Sequence, residues 1–536
     1  MREASPSARP GVTFSRRAAR SWAALNGLIA LAVFLASAEI SAIVFGSVSS
    51  PLFAVGSLVI DLAPKGAKGL MVSLFGTGDK VALFALMGIL LVVITALAGL
   101  LEWRRPPLGR IVFAAGAAAS VVAVITRSDA SELQAVPSIV GGVLALLVLR
   151  VLTVRLHRWR ASTTVEEFPE SFTPQLRSTG VERRRFLQLA VVAGGLSVVL
   201  GSGARFLNAV RVDAEALRDK IRLPRAAVLE KPVPAGASLR VAGITPYVIS
   251  NDDFYRIDTA LQIPQIDPAT WTLKITGLVE KEVSIGFDEL LARPLVEHMA
   301  TLSCVSNDVG GDLVGNALWL GYPIRSLLAE ARPRDGADMV LSRSVDGFTA
   351  GTPLSILQDV GTQALLAVGM NGAPLPLEHG FPVRMVVPGL YGYVSATKWV
   401  VSMEVTKFSE AEAYWTTRGY SARAPVKIES RIDTPSNGSS VDLGTVPIAG
   451  VAWQPHVGVK RVEVRIDEEP WQEATLADSV SADTWRQWVY RWPATKGTHK
   501  IQVRATNGDG QTQPEAYVPP APNGAEGWDE ISVTVR

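Results

Sequence analysis

The sequence predicts an N-terminal transmembrane helical region followed by two soluble domains, a mixed α+β domain and a β-sandwich. The chain has 536 residues, of which 48% are hydrophobic and 19% are charged, so part of it suits lipid. The long uncharged runs end near residue 204, and alternation of apolar and polar residues follows. The 52 basic and 50 acidic groups nearly cancel, which gives no support to a large cationic surface for nucleic acid.

Residues 1–160 form the predicted membrane region. Its spans are predicted at residues 22–46, 81–101, 109–126 and 135–154. At about 1.5 Å per residue, these runs and their flanks are long enough to cross a hydrocarbon core of ~30 Å. A further apolar stretch at 186–204 ends before Arg205 and predicts an anchor helix that runs outward.

The apolar segment 47–80 is interrupted by Asp61, Pro64, Lys65 and Lys68. Cytoplasmic loops are rich in Lys and Arg, and the basic segments here are the N-terminus, 102–110 and 150–185. All three basic segments lie on the cytoplasmic side only if residues 47–80 do not cross the membrane. We therefore predict a re-entrant or outer hairpin at 47–80. The alternative is a sixth span, which places one basic segment outside.

The predicted cytoplasmic loop, residues 161–185, ends in three arginines ahead of the anchor helix. This run resembles a twin-arginine export signal, through Arg183, Arg184, Arg185, Phe186 and Leu187. An ordinary basic anchor is the alternative interpretation. Both interpretations place the chain beyond residue 210 on the outer side of a bacterial cytoplasmic membrane.

Haem bound between the helices requires axial ligands, typically paired histidines. The chain has five histidines, and only His157 is near a predicted span, so we expect no haem. Two acidic residues, Glu39 and Asp61, are costly in lipid. They predict either a proton or quinone path, or an interfacial position with pairing to Lys65.

Residues 205–250 are rich in proline, alanine and charge, and predict a linker. The mixed α+β domain is predicted at 251–420. Trp271, Leu273 and Ile275 alternate with polar neighbours, which is the period of a half-buried strand. The segments FDELL and PIRSLLAEA predict short helices, and RMVVPG and KWVVSMEV predict buried strands.

Residues 421–536 predict a β-sandwich of immunoglobulin type. The segment KRVEVRI places Val462, Val464 and Ile466 on one face, and HKIQVRA and EISVTVR repeat the pattern. An Asn-Gly pair at 507–508 is a strong turn signal. No nucleophile, ligand cluster or glycine-rich phosphate loop stands out, so we predict a packing or dimerisation module.

Cys304 is the one cysteine of the chain, which excludes an intramolecular disulfide and a Cys-rich zinc or iron–sulfur site. It lies in TLSCVSNDVGGDLVGNALWLG, between an apolar strand and a Gly-rich turn. A lone buried cysteine is usually a small hydrophobic residue. Its thiolate is also a soft metal ligand, and with no second cysteine or histidine pair nearby the other ligands would come from a cofactor.

Four segments occur in a fixed order around this cysteine. They are FYRIDTALQIPQIDPATWTLKI at 254–275, CVSN at 304–307, VGNALWLG at 314–321 and MNGAPLPLEHGFPVRMVVPGLYGYVSATKWV at 370–400. Together they resemble the sulfite oxidase family of molybdenum-cofactor enzymes, and the resemblance extends over about 250–536. It implies a molybdopterin-binding α+β domain and a homodimer through the final β-sandwich.

The resemblance implies that Cys304 binds molybdenum, with a pterin dithiolene and oxo groups completing the sphere. His379, Arg384 and Lys398 match positions that hold the pterin and its phosphate, a role that suits a guanidinium and an ammonium. Without the resemblance, the two cations would be assigned to a solvated strand edge and the histidine to the core. Asn307 either bonds the cofactor or caps the turn after the cysteine.

Arg256 matches an arginine that reaches the substrate anion in sulfite-oxidising relatives, and Trp319 matches a pocket aromatic. The sequence departs from the family pattern at two positions, with Asp258 in place of a histidine and Val309 in place of an arginine. These changes lower the positive potential that a doubly charged sulfite requires. The metal site is therefore expected, and sulfite as the substrate is not established.

We expect a membrane-anchored molybdopterin oxidoreductase that transfers an oxygen atom to or from a small anionic or oxide substrate on the outer side. Sulfite oxidation and reduction of an S- or N-oxide are both open, and electrons pass to or from a separate carrier or quinone. One alternative is a cofactor-free receptor or scaffold in which Cys304 is merely buried. Another is a transporter that requires Glu39 or Asp61 instead.

Overall fold

The structure, a computed structural model, describes residues 15–45, 50–62, 79–126, 132–162, 179–210 and 214–536. The chain divides into two units, Met1–Arg211 and Val212–Arg536. Within the described residues the first unit is helical, and the strands lie in the second unit.

Five helices among the described residues are long and apolar enough to cross a membrane. The helices of the first unit are α1 (Arg16–Phe45), α2 (Pro51–Leu62), α3 (Asp79–Arg104), α4 (Leu108–Ile125), α5 (Val136–Ser162) and α6 (Thr179–Val210). Large apolar side chains such as Leu97 and Val199 are 52% and 68% exposed, which is a surface suited to lipid. The predicted transmembrane helical region is confirmed in helix length and composition.

Close backbone contact joins α1 to α3. A Cβ atom on Gly27 would collide with the backbone carbonyl oxygen of Thr95, and a Cβ atom on Gly99 would collide with that of Ala23. Small residues let the backbones of membrane helices approach this closely. Glycine is therefore required at both positions for steric reasons.

Helix α2 is 12 residues long, which corresponds to about 18 Å and is too short for a hydrocarbon core of ~30 Å. It contacts α4 through Ala54. Residues 46–49 and 63–78 lie outside the described residues. The re-entrant or outer hairpin at 47–80 therefore stays a prediction.

Of the two acidic residues Glu39 and Asp61, Glu39 has an observed partner. Glu39 is 8% exposed, and its Oε1 accepts a hydrogen bond from the Ser50 hydroxyl at 2.6 Å. The side chain of Asp61 and the residue Lys65 lie outside the described part of the chain. Their predicted pairing stays a prediction.

The arginine run lies in the first turns of α6, where Arg185 contacts Glu182 at 3.6 Å and Phe186 is fully buried. The Phe186 ring packs edge-on against Trp22, with 5.5 Å between the ring centroids. Helix α6 continues to Val210, past the predicted end at residue 204. Residues 163–178 of the predicted cytoplasmic loop lie outside the described residues, and the export signal stays a prediction.

The second unit begins with a short helix, α7 (Ala214–Lys220), and a mixed α+β domain, which confirms the predicted class. One sheet has the strand order β2-β1-β10-β5-β6, and the other has the order β3-β4-β7-β8 with β9 beside β7. The strands are β1 (Thr272–Gly277), β2 (Val283–Gly286), β3 (Val296–Ser303), β4 (Val314–Pro323), β5 (Met339–Ser344), β6 (Thr349–Pro353), β7 (Leu365–Met370), β8 (Ala373–Pro374), β9 (Arg384–Val386) and β10 (Val400–Thr406).

Short helices cover these sheets, as the segments FDELL and PIRSLLAEA predicted. They are α8 (Phe287–Leu291), α9 (Ile324–Ala331), α10 (Leu354–Gln358) and α11 (Gly392–Ser395). In β1 the predicted inward side chains Leu273 and Ile275 are both 0% exposed. The period of two in this strand therefore reports its buried face correctly.

The final domain is a two-sheet β-sandwich, as predicted. Its sheets have the orders β11-β13-β17-β16 and β12-β19-β18-β14-β15. The strands are β11 (Glu429–Thr434), β12 (Ser440–Val441), β13 (Gly444–Trp453), β14 (Val459–Ile466), β15 (Gln472–Glu473), β16 (Thr475–Leu476), β17 (Arg486–Ala494), β18 (Gly497–Asn507) and β19 (Asp529–Val535). The predicted turn follows β18 directly.

The segment predicted as a linker packs between the two soluble domains. Tyr247 is 3% exposed, and its hydroxyl donates to the Thr484 hydroxyl at 2.8 Å. The Trp485 indole donates to the Tyr247 carbonyl oxygen at 2.8 Å. Trp453 and Trp485 of the sandwich also belong to the hydrophobic core of the α+β domain. The sandwich and the α+β domain are therefore one packed body.

Candidate functional site

Cys304 lies at the base of the loop that joins β3 to β4, the cysteine loop (residues 304–313). Ser303 pairs with Val314 across the hairpin, and the Cys304 amide donates to the Leu313 carbonyl oxygen at 2.9 Å. Cys304 is 9% exposed, and the Ser306 amide lies 3.4 Å from its Sγ as a donor. A backbone N–H aimed at sulfur favours the thiolate, which is the form that binds metals.

Asn307 caps the cysteine loop. Its amide N–H donates to the Cys304 carbonyl oxygen at 3.0 Å, and its Oδ1 accepts from the Leu313 amide at 2.8 Å. These bonds orient Nδ2 toward Glu429, with 3.0 Å between Nδ2 and Oε2. Of the two predicted roles for Asn307, the turn cap is observed, and a bond to a cofactor stays a prediction.

Glu429 at the start of β11 reaches this loop from the sandwich. It is 3% exposed, and its Oε1 accepts from the Tyr391 hydroxyl at 3.2 Å. Burial raises its pKa to about 8, although the bonds from Asn307 and Tyr391 act to lower it. Glu429 was not predicted as a site residue, because a glutamate at the start of a distant strand carries no local signal.

A tight turn gathers His379, Arg384 and Lys398. Gly380 has a φ of 109°, and a Cβ there would lie 2.9 Å from the Arg384 Cβ and 3.2 Å from the Lys398 Cα. Glycine satisfies both the left-handed backbone and the close packing. The Gly of the His-Gly-Phe-Pro segment therefore lets the three predicted side chains come together.

His379 is buried and neutral. Its Nε2 lies 3.0 Å from the Asn251 carbonyl oxygen, and since a carbonyl oxygen only accepts, we assign the proton to Nε2. Burial lowers the pKa of His379 to about 3, and the cations Arg384 and Lys398 add to that shift. The ring therefore acts as a neutral hydrogen-bonding group and not as a cation.

Arg384 is a buried guanidinium, 5% exposed. It donates to the carbonyl oxygens of His379 and Met385 at 3.2 and 3.3 Å. Burial lowers its pKa to about 10, so it remains charged at neutral pH. Its guanidinium lies 5.0 Å from the ring centroid of Trp319, which is 0% exposed and donates to the Ala300 carbonyl oxygen. Trp319 thus contacts Arg384 on one side and the core on the other.

Asp258 binds two of the predicted cations with one oxygen. Its Oδ2 accepts from the Arg256 Nε at 3.0 Å and from the Lys398 Nζ at 2.9 Å. The Asp258 side chain is 4% exposed, whereas that of Arg256 is 37% exposed. Burial lowers the pKa of Lys398 to about 8, and Asp258 opposes that shift. The residue that replaces the family histidine therefore shares its charge between both cations.

Tyr255 was not predicted, and both Cys304 and Arg384 act electrostatically on its hydroxyl. Burial raises the pKa of that hydroxyl, the Cys304 sulfur raises it further, and Arg384 lowers it. The place of Tyr255 next to Arg256 in the FYRID segment could have pointed to it. One tyrosine hydroxyl therefore responds to both the predicted metal ligand and a predicted pterin-binding cation.

The residues of this cluster suit an anionic cofactor that brings its own metal ligands. Three cations, Arg384, Lys398 and Arg256, each lower the pKa of His379. Asp258 is a negative charge bonded to two of these cations, Arg256 and Lys398. A buried guanidinium that is bonded to neutral carbonyl oxygens is stabilised by an added anion. Among the described residues, no group of three His, Cys, Asp or Glu side chains is arranged to hold a metal ion, so a cofactor would complete the sphere around the thiolate.

A second buried ionic cluster fixes β3, the strand that leads to Cys304. His298 lies between Glu230 and Asp483, at 3.1 Å from Nδ1 and 2.8 Å from Nε2. Burial alone would lower its pKa, but hydrogen bonds to Asp483 and Glu230 raise it to about 9. The imidazolium therefore joins β3, the predicted linker and the sandwich.

Two family descriptions match the second unit. Residues 260–415 match "Oxidoreductase molybdopterin binding domain", and residues 429–503 match "Bacterial Ig domain". The first range contains Cys304 and the turn at Gly380, and the second covers most of the sandwich strands.

Known proteins match the same part of the chain. Mitochondrial sulfite oxidase of Rattus norvegicus is 30% identical over 324 residues, which are 51% of this chain and 58% of that protein. The uncharacterized oxidoreductase YuiH of Bacillus subtilis is 32% identical over 157 residues, 29% of this chain and 75% of that protein. The solved structure of the sulfane dehydrogenase SoxCD from Paracoccus pantotrophus covers 54% of this chain and 81% of its own, at 21% identity and a TM-score of 0.48. The chain thus spans less than two thirds of the rat enzyme.

Proposed function

Because the chain belongs to the sulfite oxidase family of molybdopterin-dependent oxidoreductases, we propose that it is a membrane-anchored enzyme that transfers an oxygen atom to or from a small substrate. The cofactor, when bound, supplies the two-electron chemistry of this transfer. The observation that carries the proposal is the pair of buried cations, Arg384 and Lys398, that meet at Gly380 inside the matched molybdopterin-binding range, which also contains Cys304.

The protein residues hold the cofactor at two ends. Cys304 contributes the thiolate, and the Ser306 amide stabilises its charge. Arg384 and Lys398 would bind the pterin phosphate, since both are buried cations that donate to carbonyl oxygens of the same turn, at residues 378–379. His379, held neutral, would offer Nδ1 as an acceptor because Nε2 donates to Asn251. Asn307 would keep the cysteine loop closed.

The substrate approaches the more exposed side of the cluster. Arg256 is the most exposed of its three cations, so it binds the oxygen of a small anionic or oxide substrate. Asp258 offsets the positive charge of Arg256, and Val309 adds no positive charge to the site. Trp319 limits the pocket through its contact with Arg384. These residues favour a neutral or weakly charged oxide over a doubly charged oxyanion.

The remaining parts of the proposal concern the surroundings of the enzyme. The five apolar helices support a bacterial cytoplasmic membrane anchor, and the basic loops support an outer position for the second unit. Electrons pass to or from a separate carrier or to quinone, without haem in this chain. A homodimer forms through the sandwich.

Replacing Cys304 by serine tests the proposed metal site. We expect one molybdenum per wild-type chain purified in detergent after expression with cofactor supply, and none in Cys304→Ser, because a hydroxyl is a poor ligand for a soft site. Ser306→Ala is the matched control, since it keeps the backbone donor to sulfur. A wild-type protein without molybdenum would favour the cofactor-free scaffold. Unchanged molybdenum in the serine variant would contradict the ligand role of Cys304.

Asp258→His tests the substrate preference. Restoring the family residue removes the carboxylate from Arg256, so we expect kcat/KM for sulfite to rise at least about tenfold relative to a neutral S-oxide or N-oxide. Asp252→Asn removes the same charge at an exposed position of the same segment and serves as the control. Equal changes in both variants would contradict a local role for Asp258.

A further inference from the structure

A buried carboxylate of the sandwich is bonded to two separate segments of the proposed molybdenum site. Glu429 accepts from Asn307 in the cysteine loop and from Tyr391 in the stretch that follows the pterin-side turn, at 3.0 and 3.2 Å. Glu429 and Asn307 are 3% and 1% exposed, and Tyr391 is 0% exposed. All three polar groups are therefore removed from water and depend on one another.

The geometry of Asn307 determines how Glu429 acts on the cysteine. The Asn307 backbone N–H holds the Cys304 carbonyl oxygen, and its Oδ1 holds the Leu313 amide at the other end of the loop. With Oδ1 committed to the loop, Nδ2 is the group left to bond Glu429. Removing the carboxylate would leave a buried amide donor without its acceptor and release the cap.

A second bond joins the same strand to the same loop. Arg431, on the same face of β11 as Glu429, donates to the Gly311 carbonyl oxygen at 2.8 Å. Strand β11 of the sandwich therefore contacts the cysteine loop at two points. Ser430, between them in sequence, donates instead to Gln513 within the sandwich at 2.7 Å.

We propose that Glu429 is a positioning residue for Cys304, which acts through Asn307 to fix the cysteine loop, so that the sandwich completes the metal site. This inference rests on the proposed function. It gives the sandwich a role in the site in addition to packing or dimerisation. Tyr391 extends that role to the pterin-side stretch, because the same carboxylate holds both segments in one arrangement.

Glu429→Ala in the full chain, loaded with cofactor and purified in detergent, tests the proposal. We expect molybdenum to be retained, the paramagnetic signal of the partly reduced protein to shift, and kcat to fall by roughly 10- to 100-fold, as for other outer partners of metal ligands. Ser430→Ala, which removes a buried hydrogen bond from the adjacent residue, should leave the signal unchanged. A wild-type signal in Glu429→Ala would overturn the proposal.

Glu429→Gln covers the case in which the alanine variant does not fold. The amide keeps the shape and one acceptor oxygen but replaces the other oxygen with a donor, so we expect a smaller shift of the same signal. A wild-type signal in this variant would also overturn the proposal. Absence of molybdenum from the wild-type chain would instead contradict the proposed function, so the two failures are distinguishable.

A double-mutant cycle tests the route through Asn307. If Glu429 acts on the cysteine through that amide, Glu429→Ala causes a smaller further loss of kcat in an Asn307→Ala background than in the wild type, and what remains is the part that acts through Tyr391. Additive losses would overturn this route. The shift of the paramagnetic signal in the double variant should likewise be smaller than the sum of the two single shifts.

Discussion

The first unit, which is helical in its described residues, and the second unit have different interiors. Ala30, Ala98 and Ala145 of the first unit are 0% exposed, and the glycines of α1 and α3 bring backbones into contact. In the second unit, ionisable side chains such as Arg384 and Glu429 are almost fully buried. The first interior depends on steric fit. The second depends on each buried charge keeping its partners, and it is the one that holds the proposed chemistry.

The largest expected loss of stability is at the cluster that fixes β3. In His298→Gln the two carboxylates lose the cation between them, so we expect the free energy of unfolding to fall by about 3–5 kcal/mol. Denaturant unfolding of the full chain in detergent, followed by tryptophan fluorescence, measures this change. His499→Gln is the control, because its partner Asp467 is 47% exposed and such pairs contribute at most about 1 kcal/mol. Equal losses of unfolding free energy in the two variants would contradict a special contribution of the buried cluster.

The same cluster predicts a pH dependence of stability. The pKa of His298 is raised from 6.5 to about 9 in the folded chain. The folded state therefore holds this proton more tightly. The added stability is fully present below pH 6.5 and lost as the pH rises to about 9, by roughly 3 kcal/mol. Unfolding curves of wild type and His298→Gln should converge over this window, and a constant difference would contradict the assignment.

The steric interior predicts a smaller effect at one glycine. Gly27→Ala places a Cβ against the Thr95 carbonyl oxygen, so we expect a loss of about 1–3 kcal/mol from overpacking. Gly88→Ala is the control, since nothing lies within 4 Å of a Cβ there. Alanine favours a helix by about 1 kcal/mol over glycine, and the control should be neutral or stabilising. Thermal unfolding in detergent, followed by circular dichroism, compares the two.

The fold was predictable because, within a single segment, the repeat of apolar residues matches the side chains that are buried. Val462 and Val464 of β14 are both 0% exposed, as their alternation predicted. The apolar runs likewise gave the five long helices. Such signals are local, since a side chain's face follows from its neighbours in sequence.

Candidate site residues were predictable only where a motif marks them. The EHGFPVR and CVSN segments marked His379, Arg384 and Cys304 as candidates. The bond from Lys398 to Asp258 spans 140 residues in sequence, and Glu429 lies in a strand predicted for packing alone. Contacts between residues so far apart in sequence depend on how the domains pack, and a local sequence pattern does not predict that packing. For the same reason, the predicted linker gave no sign of the buried Tyr247.

The register of the β3–β4 hairpin decides where the chain excludes changes in length. Ser303 and Val314 are paired, and bonds from Leu313 to Asn307 and from Arg431 to Gly311 fix the loop between them. One extra residue inside β3 would turn each following side chain to the opposite face. Insertions and deletions among homologues should therefore spare both the strand before Cys304 and the loop after it.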